Sequence, residues 1–189
     1  VKPKILKKEK IIFTAISRII PYKGHVLLVE LFDKLFKKNN KIQLQIVGDT
    51  LPQYQKYLDN LKLNIKDKEI DDRITFMGFR NDINYILSNS NFFIHTPILP
   101  DPFPTVIFEA IHSKIPVITN DLGGAYEILN DGKNGLIIKN NLINESVERI
   151  MKYIENCELQ KENIAKAFDY ACKKYSLKNF EKEIIRIIE

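Results

Sequence analysis

Asn91-Phe-Phe-Ile-His95, followed closely by Asp101-Pro-Phe-Pro-Thr-Val-Ile-Phe-Glu109, is the stretch that decides the fold. The first run is apolar throughout and predicts a strand buried on both faces. Pro102 and Pro104 interrupt the chain. From Thr105 onward, Val106, Ile107, Ala110 and Ile111 fall on the inner side of a helix. A strand-to-helix turn of this kind aims fresh backbone N–H groups at whatever lies above a sheet, and they favour an anion. Thr105 and Glu109, four apart, share a helix face. A phosphate at the helix tip, with a carboxylate one turn deeper to accept sugar hydroxyls, describes a nucleotide-sugar pocket.

Outward from this turn the same alternation repeats. Candidate strands are Ile11–Ile16, Ile42–Val47, Arg73–Phe76, Pro116–Thr119 and Gly135–Ile138, rich in Ile, Val and Phe and mostly apolar rather than alternating. Between them, Leu27, Leu28, Leu31, Phe32 and Leu35 mark a helix from Gly24 to about Lys38. Ile83, Ile86 and Leu87 mark another over Asn81–Asn89, with Asp82 near its start. From about residue 143 the pattern is wholly helical: Asn144–Asn156, Glu158–Tyr175 and Ser176–Glu189. This predicts an α/β doubly wound parallel sheet of about six strands, helices on both faces and a helical C-terminal tail.

Composition supports a single generous domain of 189 residues, 44% apolar, with net charge +5. No apolar run reaches the roughly 18 residues of a membrane helix. The start, Val-Lys-Pro-Lys, lacks the apolar region and cleavage site of a secretory signal. Residues 1–10, with Lys2, Lys4, Lys7, Lys8 and Lys10, read as a linker or interdomain segment ahead of a domain over 11–189. Because the chain does not begin with Met, a fragment of a longer protein is expected. No basic stripe interleaved with aromatics favours nucleic acid, although the lysines leave peripheral contact with an anionic membrane open. Cys157 and Cys172 match no metal spacing and read as reduced, half-buried thiols of a cytoplasmic protein.

Ligands of such sheets bind beyond the carboxyl ends of the strands, which directs attention to the loops at 17–24, 48–50, 78–81, 96–105 and 120–124. Arg18 and Lys23 place two cations in the first of these, suited to neutralising a diphosphate; the alternative is an ordinary solvated loop. Gly48 either lets a ligand approach the backbone or makes a tight turn. The chain has neither G-x-G-x-x-G nor a P-loop, so dinucleotide and P-loop chemistry fail. G-x-S-x-G is absent too. His25, His95 and His112 show no i,i+4 pairing that would suggest zinc. His25 and His112 read as structural, the latter on a helix surface.

Ser17-Arg18…Lys23-Gly24, Ile46-Val47-Gly48, Phe76-Met-Gly78-Phe79, Asp101-Pro-Phe-Pro…Glu109-Ala110, Ile115-Pro-Val-Ile-Thr-Asn-Asp…Gly123-Gly124…Glu127 and Asp131-Gly-Lys-Asn-Gly-Leu136 occur in this order. Together they resemble the C-terminal, donor-binding domain of the family-4 retaining glycosyltransferases of the GT-B fold, over about residues 11–139. The resemblance implies a Rossmann-like half of a GT-B enzyme. Its function would be metal-independent transfer of a sugar, with retention, from a UDP- or GDP-linked donor to an acceptor hydroxyl. The setting would be polysaccharide, lipopolysaccharide or glycolipid synthesis.

By the same resemblance, Arg18 and Lys23 hold the diphosphate, Glu109 the ribose hydroxyls, and Asp101 faces the transferred sugar in place of the more usual Glu. Phe103, Pro104, Thr105 and Val106 would line the sugar and phosphate, and the loop with Phe79 and Arg80 would border the base. No metal or other cofactor is implied, and D-x-D is missing. The acceptor, a glycan or lipid-linked glycan, would belong to an N-terminal domain absent from this chain. A nucleotide-sugar 2-epimerase, a non-catalytic nucleotide-binding module and a basic nucleic-acid-binding domain remain the alternatives. A glycoside hydrolase is disfavoured, because its two carboxylates would have to flank the scissile bond.

Overall fold

The computed structural model describes residues 10–179 together with 181 and 186. Six strands form one parallel sheet: β1 (Ile11–Ile16), β2 (Ile42–Val47), β3 (Ile74–Gly78), β4 (Phe92–His95), β5 (Val117–Asn120) and β6 (Leu136–Ile138). Their order is β3-β2-β1-β4-β5-β6. β1 pairs along its whole length with β2 (Ile11 with Ile42, Ile16 with Val47) and at Phe13 and Thr14 with β4. The strand order reverses between β1 and β4, which in doubly wound sheets is where a crevice opens.

Helices cover both faces: α1 (His25–Lys38), α2 (Gln55–Asp67), α3 (Ile83–Ser88), α4 (Thr105–His112), α5 (Gly124–Ile128), α6 (Ile143–Glu155) and α7 (Cys157–Lys174). One core packs α1, α2 and α6 on the sheet through Leu28, Phe32, Leu35, Leu61, Ile65 and Ile150. The other packs α3, α4, α5 and α7 through Leu87, Ile107, Ala110, Ile128 and Ala171. Phe13 sits at the centre of the first, fully buried, stacked on Phe92 with centroids 4.8 Å apart and edge-on to Phe32 at 5.2 Å. Burying one such side chain contributes about 1.5–3 kcal/mol.

The strand readings hold with shifts of one or two residues. Arg73 is not in β3. It closes a 3-10 turn (Asp71–Arg73), donates to the carbonyls of Ile42 and Asn39, and lies over the Phe36 ring. Two helices were not anticipated, α2 and the five-residue α5. Leu27 is only half-buried, whereas Val29 and Phe36 complete the inner face of α1. Asp82 stands at the start of α3 but caps nothing, since Arg80 engages its carboxylate. Cys157 and Cys172 are exposed rather than half-buried. The anticipated linker at 1–10, apart from Lys10, lies outside the described residues, as does most of the helix anticipated over 176–189.

Candidate functional site

Where β1 and β4 end side by side, a cleft of about 250 Å³ opens, lined by Ser17, Arg18, Lys23, His95, Asp101, Phe103, Pro104, Thr105 and Val106. The chain builds it from three close backbone contacts. Gly24 takes a left-handed φ of 75°, and a Cβ there would lie 1.9 Å from the Thr96 carbonyl oxygen. The loop carrying Arg18 and Lys23 is thereby pressed onto the loop after β4. Gly123 and Gly124 play the same part on the far side: the Gly124 amide donates to the Asp101 carbonyl at 2.8 Å. Any Cβ on this pair would collide with the backbone of Asp101 or Pro102.

Inside the cleft, Lys23 is ion-paired with Asp101. Arg18 is exposed, and among the described residues its guanidinium has no hydrogen-bonded or ion-pair partner. Helix α4 begins at Thr105 with Pro104 before it and no side-chain cap. Its first amides, at Thr105 and Val106, therefore border the same space as Arg18 and Lys23. Uncapped helix amides and cations around one space are groups that favour an anion.

His95 lines the cleft and His25 lies behind Ser17, and sequence reasoning assigned neither a part in the site. His95, the last residue of β4, is buried, and its Nε2 has no hydrogen-bond partner among the described residues. That atom lies 3.9 Å from Asp101 Oδ2. Burial above all, then the Lys23 charge, lowers its pKa to about 4 against a weaker upward pull from Asp101, leaving a neutral imidazole. His25, at the start of α1, is also buried and meets Ser17 Oγ through Nε2 at 3.3 Å. Its pKa is likewise lowered to about 4, chiefly by burial and further by His95 and Lys23, while the nearby Ile20 backbone acts the other way; its Nδ1 has no hydrogen-bond partner among the described residues. An unpaired buried polar group costs about 1–3 kcal/mol, and His95 Nε2 carries that cost at the cleft wall. The signal for His95 was its place at a strand's carboxyl end beside the switch in strand order.

The remaining anticipated residues fall elsewhere. Glu109 borders a second cavity of about 390 Å³ between α3, α4 and α7, with Asn84, Phe108, His112 and Tyr175. Its carboxyl pKa is raised by partial burial. One helical turn, about 6 Å along the axis, separates it from Thr105. Gly48 has φ 131°, but the group that approaches it is the Ser17 carbonyl, 2.0 Å from where a Cβ would stand; glycine there joins two strand ends. Phe79 is 73% exposed, and Arg80 forks onto Asp82 at 2.8 and 2.6 Å; neither lines the cleft. Among the described residues no group of three or more His, Cys, Asp and Glu could hold a metal. No described helix is long and apolar enough to cross a membrane.

This architecture has known counterparts. The Anabaena protein HepE, solved in complex with UDP, superposes with a TM-score of 0.85 at 26% identity, covering 95% of this chain and 49% of that one. The poly(ribitol-phosphate) alpha-N-acetylglucosaminyltransferase of Staphylococcus aureus is 29% identical over 175 residues, 92% of this chain and 34% of its own length. The UDP-Gal:alpha-D-GlcNAc-diphosphoundecaprenol alpha-1,3-galactosyltransferase of Escherichia coli is 28% identical over 155 residues, 80% of this chain and 38% of its own. The chain thus spans well under half the length of these two relatives. Residues 1–170 match the family described as glycosyl transferases group 1, and the chain belongs to that family.

Proposed function

We propose that residues 11–189 are the donor-binding half of a family-4, retaining, metal-independent glycosyltransferase that takes a UDP- or GDP-linked sugar. The observation that carries this is the convergence of Arg18, Lys23 and the uncapped start of α4 on one cleft at the β1/β4 switch. HepE was solved with UDP, and the E. coli relative bears UDP-galactose in its name; both support a uridine nucleotide. The diphosphate lies against Arg18, Lys23 and the Thr105 and Val106 amides, and the nucleoside runs along α4 so that its ribose hydroxyls reach Glu109. The transferred sugar sits by Asp101 and Phe103.

When the anomeric C–O bond breaks, its electron pair leaves with the diphosphate and positive charge develops on the sugar. Arg18, Lys23 and the helix start stabilise that departing anion, each well-placed donor lowering the barrier by about 3–4 kcal/mol by comparison with oxyanion-hole deletions. The acceptor hydroxyl, on a glycan or lipid-linked glycan of polysaccharide, lipopolysaccharide or glycolipid synthesis, attacks from the part of the relatives' length that this chain does not span. The reaction takes place in the cytoplasm, with peripheral membrane contact where the acceptor is a lipid. The chain alone binds donor without turning it over.

Calorimetric titration with UDP, GDP and their sugars tests this. Arg18→Ala should weaken the preferred nucleotide by about 2–3 kcal/mol, the worth of hydrogen bonds to a charged group. Glu109→Gln should abolish the preference for a ribonucleotide over its 2′-deoxy form. A wild-type chain that binds no nucleoside diphosphate would sink the reading.

A further inference from the structure

We propose that His95 is a positioning residue that receives Asp101 when an anionic donor draws Lys23 away, so that the carboxylate remains fixed towards the transferred sugar. The ligand-driven part of this rests on the donor-binding reading above; the exchange of partners at Asp101 does not.

Asp101 Oδ2 is shared ground. It is the atom paired with Lys23 and also the atom 3.9 Å from His95 Nε2. The Lys23 ammonium is the group a diphosphate would claim, because it stands with Arg18 and the α4 amides around one space. A carboxylate deprived of its only described ion-pair partner, and four-fifths buried, needs another donor. His95 Nε2, 3.9 Å away, is a candidate. It is buried, unpartnered and on a rigid strand end. As a neutral imidazole it can carry its proton on Nε2, and burial favours the neutral form.

A closure of about 1 Å brings the pair within ordinary hydrogen-bond range. The backbone cannot supply much of that movement. The Asp101 carbonyl is held by the Gly124 amide at 2.8 Å, and the Asp101 backbone lies so close to Gly123 that a Cβ there would stand 2.5 Å from its carbonyl oxygen. Rotation of the Asp101 side chain remains, leaving Oδ1 to accept a sugar hydroxyl. His25 does not compete for the role, since its Nε2 meets Ser17 Oγ.

Long-range 1H–15N spectra of the histidine-labelled chain test the exchange, with only three histidines to assign. Lys23→Ala without any ligand should move the His95 Nε2 proton downfield and slow its exchange with solvent. UDP or GDP should do the same in the wild type, and neither should do so in Asp101→Ala. For the nucleotide that binds, His95→Leu should reduce the extra affinity of its sugar conjugate (UDP-N-acetylglucosamine, UDP-galactose or GDP-mannose) about tenfold. It should weaken the bare nucleotide as well, because that ligand too draws Lys23 from Asp101, and His95→Gln, which can still donate from the same position, should restore most of both losses.

An unchanged His95 signal in ligand-free Lys23→Ala overturns the proposal regardless of any ligand. A nucleotide that binds without moving that signal overturns the hand-over while the donor-binding reading stands. Failure of every nucleotide to bind overturns the donor-binding reading and the ligand-driven step, and the Lys23→Ala spectrum then decides the contact by itself.

Discussion

The cleft above β1 and β4 and the groove between α4 and α7 share helix α4, and they treat polar groups in opposite ways. In the groove, aromatic rings meet one another: Phe108 lies 4.9 Å from Tyr175 and 5.2 Å from Phe103. The nearby Glu127 is answered by Lys174 at 2.9 Å, and the Tyr175 hydroxyl donates to it at 3.4 Å. In the cleft, Arg18 is unpaired among the described residues and His95 Nε2 is buried without a partner, while the start of α4 has no cap. A surface that has satisfied its own polar groups is packing; one that has left them unsatisfied is prepared for a ligand. Glu109, bordering the groove without an ion-pair partner among the described residues, is where the two characters meet.

Acid should break this contrast most strongly. His25 and His95 titrate near 4 in the folded chain against 6.5 unfolded. Above pH 6.5 both states hold them neutral and they add no slope. Between pH 6.5 and 4 the unfolded chain takes up protons that the folded chain refuses, so stability falls as pH falls. Each histidine should remove about 3 kcal/mol across that window. Urea unfolding at a series of pH values should show the decline, and His95→Gln should flatten it by about half. A stability curve level between pH 6.5 and 4.5 would mean that the cleft floor is not dry.

Next in size is Gly123→Ala. Its φ of 69° and ψ of −155° lie where essentially only glycine goes, at a cost of about 1–3 kcal/mol for another residue. The new Cβ would also stand 2.5 Å from the Asp101 carbonyl oxygen. Thermal unfolding should fall by about 4–8 °C for about 2 kcal/mol in a domain of this size, and nucleotide affinity should fall with it because Asp101 and Phe103 must move. Unaltered affinity in this variant would detach the Gly-Gly turn from the site.

These two predictions rest on features of unequal visibility in the sequence. The six strands are legible because burial on both faces leaves near-continuous Ile, Val and Phe runs, and β1 and β2 fall where those runs predict. Helix α2 escaped because only Leu58, Leu61 and Ile65 mark its inner face among lysine, asparagine and aspartate. Helix α5 is five residues long, too short to show a period. Arg18, Lys23, Asp101 and Thr105 were found together because a parallel sheet sends every βα loop to one edge. What His95 touches was not legible: an apolar run does not reveal towards which group its last imidazole turns. Nor could spacing reveal which cavity Glu109 borders, or that the neighbour demanding glycine at 48 is the Ser17 carbonyl just beyond the end of β1.

The smallest effect belongs to Lys174→Ala. This ion pair joins α7 to α5 across exposed ground, with Lys174 and Glu127 side chains 37% and 61% accessible. The neighbouring Tyr170 and Glu127 raise the Lys174 pKa, yet solvent screening holds such pairs to about 0.2–1 kcal/mol. The substitution should therefore lower stability by less than about 1 kcal/mol, and the loss should shrink further at 1 M salt, where the Debye length is about 3 Å. Nucleotide affinity, measured by calorimetry alongside the wild type, should not change. A several-fold loss of affinity would mean that α7 transmits its position to the start of α4 through Tyr175, Phe108 and Phe103. The groove would then be a support of the cleft rather than its counterpart.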